Sequence, residues 1–395
     1  MINEVSMIRR IVTADSLAAG TSFLWGPRDT GKTTLVRELF PQAKIFSLDP
    51  MEEVPRLSAD PTIFARECLA LPDKRQPVIV DEIQNLPQLL GHIRSLIGQQ
   101  GLRFLLVGSS PRKLVHGGAG PLPGEATTLN LMPLTSAEVP DLSLERALHR
   151  GLLPSHYFSD RASSRLRKYC EEFLWQEVLA EGLIRNLPAF QQFLRAAALS
   201  NGQIVNSATI ARRIAVSPNT VRGYFNLLVD TLIAAWLPSW TKRVERRAIR
   251  APKFYFFDVG VVNGLVGRGS LVPGSASFAL ALEHFVLMEL RAHQAYAPRG
   301  SGLPITYWRT ASGIEVDFIL GDAEVAVEVK ATEHPRLVDL RSLRAWREEH
   351  PSSRCILVCR TARPARSEDG IEIMPWRDFL AQLWRHEIRA GRGSE

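Results

Sequence analysis

Gly26-Pro27-Arg28-Asp29-Thr30-Gly31-Lys32-Thr33-Thr34 is the stretch that decides how the chain reads. It satisfies the spacing G-x-x-x-x-G-K-[ST], with an apolar run before it (Phe23, Leu24, Trp25) and a helical pattern after it (residues 33–40). The glycines let the backbone wrap a polyphosphate, while the N-terminus of the following helix aims amide groups at the anion. All nine residues are therefore candidate nucleotide contacts. Lys32 is expected to reach the β- and γ-phosphates and Thr33 to ligate Mg²⁺, which makes ATP and Mg²⁺ the expected cofactors.

Working outward, short apolar runs alternate with helical stretches from Ser22 to about Leu134. That alternation is the pattern of a parallel sheet covered by helices, an α/β nucleotide fold. The run Pro77–Val80 ends in Asp81-Glu82. Phosphoryl chemistry needs one carboxylate on the metal and a second to activate water, so Asp81 is the expected Mg²⁺ residue and Glu82 the expected general base. A further run, Phe104–Val107, leads into Gly108-Ser109-Ser110, where Ser109 or Ser110 is placed to sense the γ-phosphate or orient water. The Pro/Gly-rich residues 116–126 read as an exposed loop.

Taken together, GPRDTGKTTL, SLD, VIVDEIQNLPQLL, FLLVGSSPRKL and LNLMPLTSAE resemble the ATPase domain of a large prokaryotic family of AAA-type P-loop proteins. Members carry a C-terminal domain of unknown function likened to restriction-endonuclease folds. Where the family usually has Leu-Ala-Gly-Arg before the LNLMPL-like strand, this chain has Leu122-Pro123-Gly124-Glu125. If that arginine assists hydrolysis in the family, Glu125 puts turnover in question and leaves binding intact, with Arg112 remaining as a phosphate-sensing cation.

The chain has 395 residues, room for about two to four domains, and 45% apolar residues supply each with a core. No stretch has the charge-free apolar length of a membrane span, and the N-terminus lacks the order of a signal peptide, so a cytoplasmic protein is expected. The net charge of +7 is compatible with an acidic partner such as DNA, but the 40 arginines against 8 lysines are not counted as evidence for one. Where lysine is this rare, one standing where chemistry demands it carries weight. Cys68, Cys170, Cys355 and Cys359 fall in no metal-ligand spacing and read as buried thiols. A homo-oligomer is a further partner class that the pattern allows.

From about Ser163 to Trp240 the helical period dominates. Residues 209–228 read as helix, tight turn, helix, with Ser217 as N-cap and Pro218 at the first helical position. The segment resembles a winged helix-turn-helix, whose second helix would expose Asn219, Thr220, Arg222 and Asn226 to a major groove.

The third region mixes strands and helices. In VAVEVK, strand alternation puts Glu328 and Lys330 on one face, and Asp317 in IEVDFIL can lie beside them on the preceding strand. This Asp…Glu-x-Lys order resembles the PD-(D/E)xK nuclease core, where two carboxylates hold Mg²⁺ and the lysine positions or activates water. Glu283, in ALEHFVLMEL, matches the additional acid which that superfamily places on its first helix. The expected organisation is a multidomain α/β chain: residues 1–150 an AAA-like P-loop ATPase domain, 151–246 an all-α winged helix-turn-helix domain, and 247–395 a nuclease-like domain. The expected function is an ATPase coupled to DNA action with Mg²⁺-dependent cleavage. The alternative is an ATP-dependent switch or interaction scaffold whose C-terminal domain is not catalytic.

Overall fold

The computed structural model describes residues 8–18, 20–48, 53–112, 114, 122, 126–173, 182, 184, 186–241, 251–298 and 302–389. They divide into two compact units. The first holds the described residues up to Leu134 together with residues 226–233, and the second holds most of the rest.

The first unit is built on five strands, β1 (Ser22–Trp25), β2 (Ile45–Ser47), β3 (Val78–Asp81), β4 (Phe104–Gly108) and β5 (Thr127–Asn130). They are all parallel in the order β2-β3-β4-β1-β5. β3 and β4 are buried along their whole length, which is why their sequences are unbroken apolar runs and not alternating ones. Parallel strands send their C-terminal ends to one edge of the sheet, so the segments after β1, β3 and β4 share it. Phe46, Phe64, Phe104 and Leu106 anchor one face of the core, where burying each side chain contributes about 1.5–3 kcal/mol.

Two sheets organise the second unit. The smaller is antiparallel, with β6 (Gln203–Ile204), β7 (Ala234–Leu237) and β8 (Lys253–Phe256) in the order β6-β8-β7. It runs across the domain boundary expected at residues 246/247, because every residue of β8 is buried and the strand is hydrogen-bonded on both edges by strands from the helical region. The middle region is therefore not all-helical. Its helices include Leu187–Leu199, Ser207–Arg213 and Pro218–Asp230.

The larger sheet has the order β13-β14-β12-β11-β10-β9, from β9 (Ile305–Arg309), β10 (Glu315–Leu320), β11 (Val325–Val329), β12 (Arg354–Cys359), β13 (Ala365–Arg366) and β14 (Glu372–Pro375). β9, β10 and β11 pair antiparallel, and β11 pairs parallel with β12 after the intervening helix Arg341–Glu349. The long helix Ala276–Tyr296 precedes β9. Tyr307 and Trp308 are buried, and Trp308 meets Trp346 edge-on at 5.5 Å, so this aromatic pair is core. Among the described residues no helix is long and apolar enough to cross a membrane.

A buried polar triangle fixes the long helix against β8 through His284. The Asn201 side-chain oxygen accepts from Phe256 N at 2.9 Å, and the Asn201 amide lies 3.2 Å from His284 Nδ1. His284 Nε2 lies 2.7 Å from the Phe256 carbonyl. The carbonyl can only accept, so Nε2 carries the proton and Nδ1 accepts from Asn201. Burial lowers the His284 pKa from 6.5 to about 4, against the opposing pull of the Phe256 carbonyl. A histidine kept neutral in the fold contributes stability that is complete above its unfolded pKa and is lost as pH falls toward the folded one, here about 3 kcal/mol between pH 6.5 and 4. Urea midpoints should show this loss in the wild type and a shallower one in His284→Gln over the same window; parallel curves would contradict a neutral His284.

Candidate functional site

Gly26 follows β1 and lies against the segment after β5: a Cβ there would stand 2.5 Å from the Leu131 carbonyl oxygen. Only glycine lets the loop begin this close to the residue after β5. The loop then turns through Asp29 (φ 67°) and Gly31 (φ 92°), both left-handed, and enters the helix Lys32–Leu39. Thr30 Oγ1 donates to the Pro27 carbonyl at 2.9 Å. Arg10 braces the loop, giving 2.7 Å hydrogen bonds to the carbonyls of Thr30 and Met132. Lys32 Nζ, buried, donates to the carbonyls of Gly26 at 2.7 Å and Pro27 at 3.1 Å. Its ammonium thus lies inside the curve of the loop. Arg28 and Thr34 are exposed.

Thr33 Oγ1 donates to Asp81 Oδ2 at 2.7 Å, joining the helix after the loop to the end of β3. A hydroxyl and a carboxylate side by side are hard oxygen donors of the kind Mg²⁺ takes, so this pair fits the metal. Glu82 follows in the left-handed region (φ 57°) and accepts from the Gln84 side-chain amide, which also donates to Ser109 Oγ at 3.1 Å. Gln84 was not singled out by motif reading. Its role depends on β3 and β4 lying side by side, and Gly108 makes room for it: a Cβ there would stand 2.3 Å from Gln84 Oε1. Ser110 Oγ accepts from Arg112 N at 3.2 Å, and the Arg112 guanidinium lies 3.6 Å from the Asp230 carboxylate. Arg112 thus has a protein counter-ion. Glu125 lies outside the described residues.

In the helix-turn-helix segment, Ser217 Oγ accepts from Thr220 N at 3.0 Å, the N-cap that the sequence asks for. Asn219, Arg222 and Asn226 are exposed on one side of the helix Pro218–Asp230, and Thr220 is half-buried. Arg222 donates to Asn219 Oδ1 at 2.6 Å.

The C-terminal acids come together, in an arrangement different from the expected one. The register Phe318↔Val327 sets Asp317 across from Glu328, and both are buried. Asp317 Oδ2 accepts from Val329 N at 2.8 Å, and Lys330 Nζ donates to Glu328 Oε1. Glu328 Oε2 is buried without a hydrogen-bond partner. Burial, then the charges of Glu328 and Glu283, push the Asp317 carboxyl well above its ordinary range, and burial raises Glu328 as well. Glu283 is engaged elsewhere: it pairs with Lys253 Nζ at 3.3 Å and accepts from the Tyr255 hydroxyl. Lys253 also pairs with Glu315, whose other oxygen lies 3.3 Å from Arg309 Nη1. Among the described residues no three His, Cys, Asp or Glu side chains group as a metal site. Glu283 is thus held in an ion pair with Lys253, while the orphan oxygen of Glu328 beside Asp317 is a fit for a cation. Motif reading does not find Lys253 and Tyr255, because strand β8 looks like ordinary core, or Glu315, which begins β10 two residues before Asp317. Glu289, six residues further along the same helix, accepts from Ser136 N at 2.7 Å and Trp384 Nε1 at 2.7 Å.

Comparison with known proteins divides the chain in three. Residues 19–139 match the profile of an AAA domain, 141–271 a domain of unknown function (DUF8612) and 280–379 another (DUF4143). Two uncharacterized mycobacterial proteins, Rv2008c of Mycobacterium tuberculosis and Mb2031c of Mycobacterium bovis, are each 30% identical over 331 residues, 82% of this chain and 72% of theirs. A crystal structure of a signal transduction ATPase with numerous domains (STAND) protein with a tetratricopeptide repeat sensor, from Pyrococcus horikoshii, aligns at 13% identity with a TM-score of 0.22. That alignment covers 71% of this chain and 46% of the other, so the chain spans less than half of that structure's length.

Lys32→Ala removes the cation inside the loop without touching the apolar core. Titration with a fluorescent ATP analogue should show affinity at least about tenfold weaker, the loss of a charge-assisted contact. Unchanged affinity would contradict the loop's assignment.

Proposed function

The chain belongs to one family with these two mycobacterial proteins and carries an AAA domain, and from that premise we propose that it hydrolyses ATP and directs the result to DNA through its C-terminal half. The observation that carries the nucleotide reading is the Thr33–Asp81 hydrogen bond beside a loop whose interior holds Lys32. In this reading Lys32 and the amides opening the helix bind the phosphates. Thr33 and Asp81 hold Mg²⁺, which when bound offsets the charge on the phosphate oxygens. Glu82 takes the proton of the attacking water, and Gln84 holds Glu82 and Ser109 in place. The ion pair of Arg112 with Asp230 sets how far Arg112 can follow a phosphate.

The DNA part of the proposal has separate support. Asn219, Arg222 and Asn226 form an exposed polar row on the second helix of a helix-turn-helix, and the net charge is +7. The helix Ala276–Tyr296, three antiparallel strands, a helix and a parallel strand follow the order of the PD-(D/E)xK core. Asp317 and Glu328 would hold Mg²⁺ there, and Lys330 would position water. One observation favours the alternative of a nucleotide switch or scaffold: the Lys253 ammonium already neutralises two of the cluster's acids.

Both halves can be tested on the purified full chain. Glu82→Gln should keep ATP binding and lose at least about a hundredfold in turnover, because an amide cannot accept the proton. With DNA and Mg²⁺, strand scission that disappears in Lys330→Ala supports the nuclease reading, and no scission under any nucleotide condition supports the scaffold.

A further inference from the structure

Lys253 is one of eight lysines and is among the most buried charged side chains of the second unit, 3% exposed. It comes from β8 of the small sheet, yet its ammonium reaches Glu283 of the long helix and Glu315 at the start of β10. Its other neighbour is the Tyr307 ring, 5.3 Å from the ammonium. Burial alone would favour the neutral amine, but Glu283, Asp317 and Glu315 outweigh it and raise the pKa, so the side chain stays charged.

Counting charge shows what this achieves. Glu283, Glu315, Asp317 and Glu328 stand against Lys253, Lys330 and Arg309, four acids to three cations. The chain's own cations therefore offset all but one of these charges without a divalent ion. Removing Lys253 would take from the half-buried Glu283 and Glu315 the ammonium that they share, a loss that a divalent ion could offset.

The geometry points to Lys253 as the resident cation of this cluster, which a divalent ion must displace from Glu283 before the acids can close around it. The inference rests on reading Asp317 and Glu328 as metal ligands, and it adds that metal affinity is set by a lysine on a different sheet. It accounts for the pairing of Glu283 with an ammonium in the cluster that holds the orphan oxygen of Glu328.

The test is Mn²⁺ binding to the nucleotide-free full chain, followed by electron paramagnetic resonance. All variants carry Asp81→Asn, so that the phosphate loop contributes no divalent site. Lys253→Gln should bind Mn²⁺ at least about tenfold tighter than its parent, because a competing charge is gone, and Asp317→Asn should abolish the gain. Should Lys253→Gln fail to fold, the parent answers alone: in protein with ¹³C-labelled lysine, the signal of Lys253 should shift as Mg²⁺ binds. Parent affinity equal to the variant's, or a Lys253 signal unmoved while metal binds, would overturn the displacement and leave the metal reading standing. If neither parent nor variant takes up Mn²⁺ at millimolar concentration, the metal reading falls and this inference falls with it.

Discussion

The hydrogen bond between Thr33 Oγ1 and Asp81 Oδ2 links two positions 48 residues apart, and much of the first unit serves to make it possible. β1 and β3 are not neighbours; β4 lies between them, and the side chains meet because all three strands run parallel and end at one edge. Three close approaches keep that edge tight. Gly26 lies against the Leu131 carbonyl, Gly108 against Gln84, and Arg10 ties the loop to Met132. A β-carbon at either glycine would force the backbone or a neighbouring side chain to move, and the hydroxyl and carboxylate would lose their common position.

The two acidic centres solve the problem of buried charge differently. At the sheet edge, Asp81 is buried but meets donors on each oxygen: the Thr33 hydroxyl on one and the Glu82 amide, at 3.1 Å, on the other. In the second unit several carboxylates share a small volume, and the chain supplies lysines and an arginine to balance them. The first arrangement is a hydrogen-bonded hydroxyl and carboxylate, and the second is a network of ion pairs. This physical difference is why the nucleotide site can be proposed with its residues in their expected roles, whereas the C-terminal cluster needs an account of Lys253 before it can be given a chemistry.

What could be read from the sequence follows from how local each feature is. The phosphate loop was legible because its chemistry lies within nine consecutive residues flanked by a strand and a helix, and Asp81 was legible as the acid ending an apolar run. Strands β10 and β11 could be anticipated from their hydrophobic pattern. β6, with two residues, and β13 and β14, beyond the last strong apolar run, carry too little pattern to be seen. β8 is an apolar run that reads locally as a strand, but a run buried on all sides does not say which strands will flank it. Lys253 remained hidden for the same reason: its partners lie 30 and 62 residues away on other elements. Gln84 became visible only once β3 and β4 were side by side.

The central claim is that Thr33 and Asp81 form the metal-holding pair of a working ATPase. The most direct measurement is phosphate release from Mg²⁺-ATP by the full chain, titrated with Mg²⁺, in the wild type and in Asp81→Asn. The account predicts Mg²⁺-dependent release in the wild type, and in the variant a rate at least about a hundredfold lower that excess Mg²⁺ does not restore. Equal rates in the two proteins, or release that ignores Mg²⁺, would contradict it.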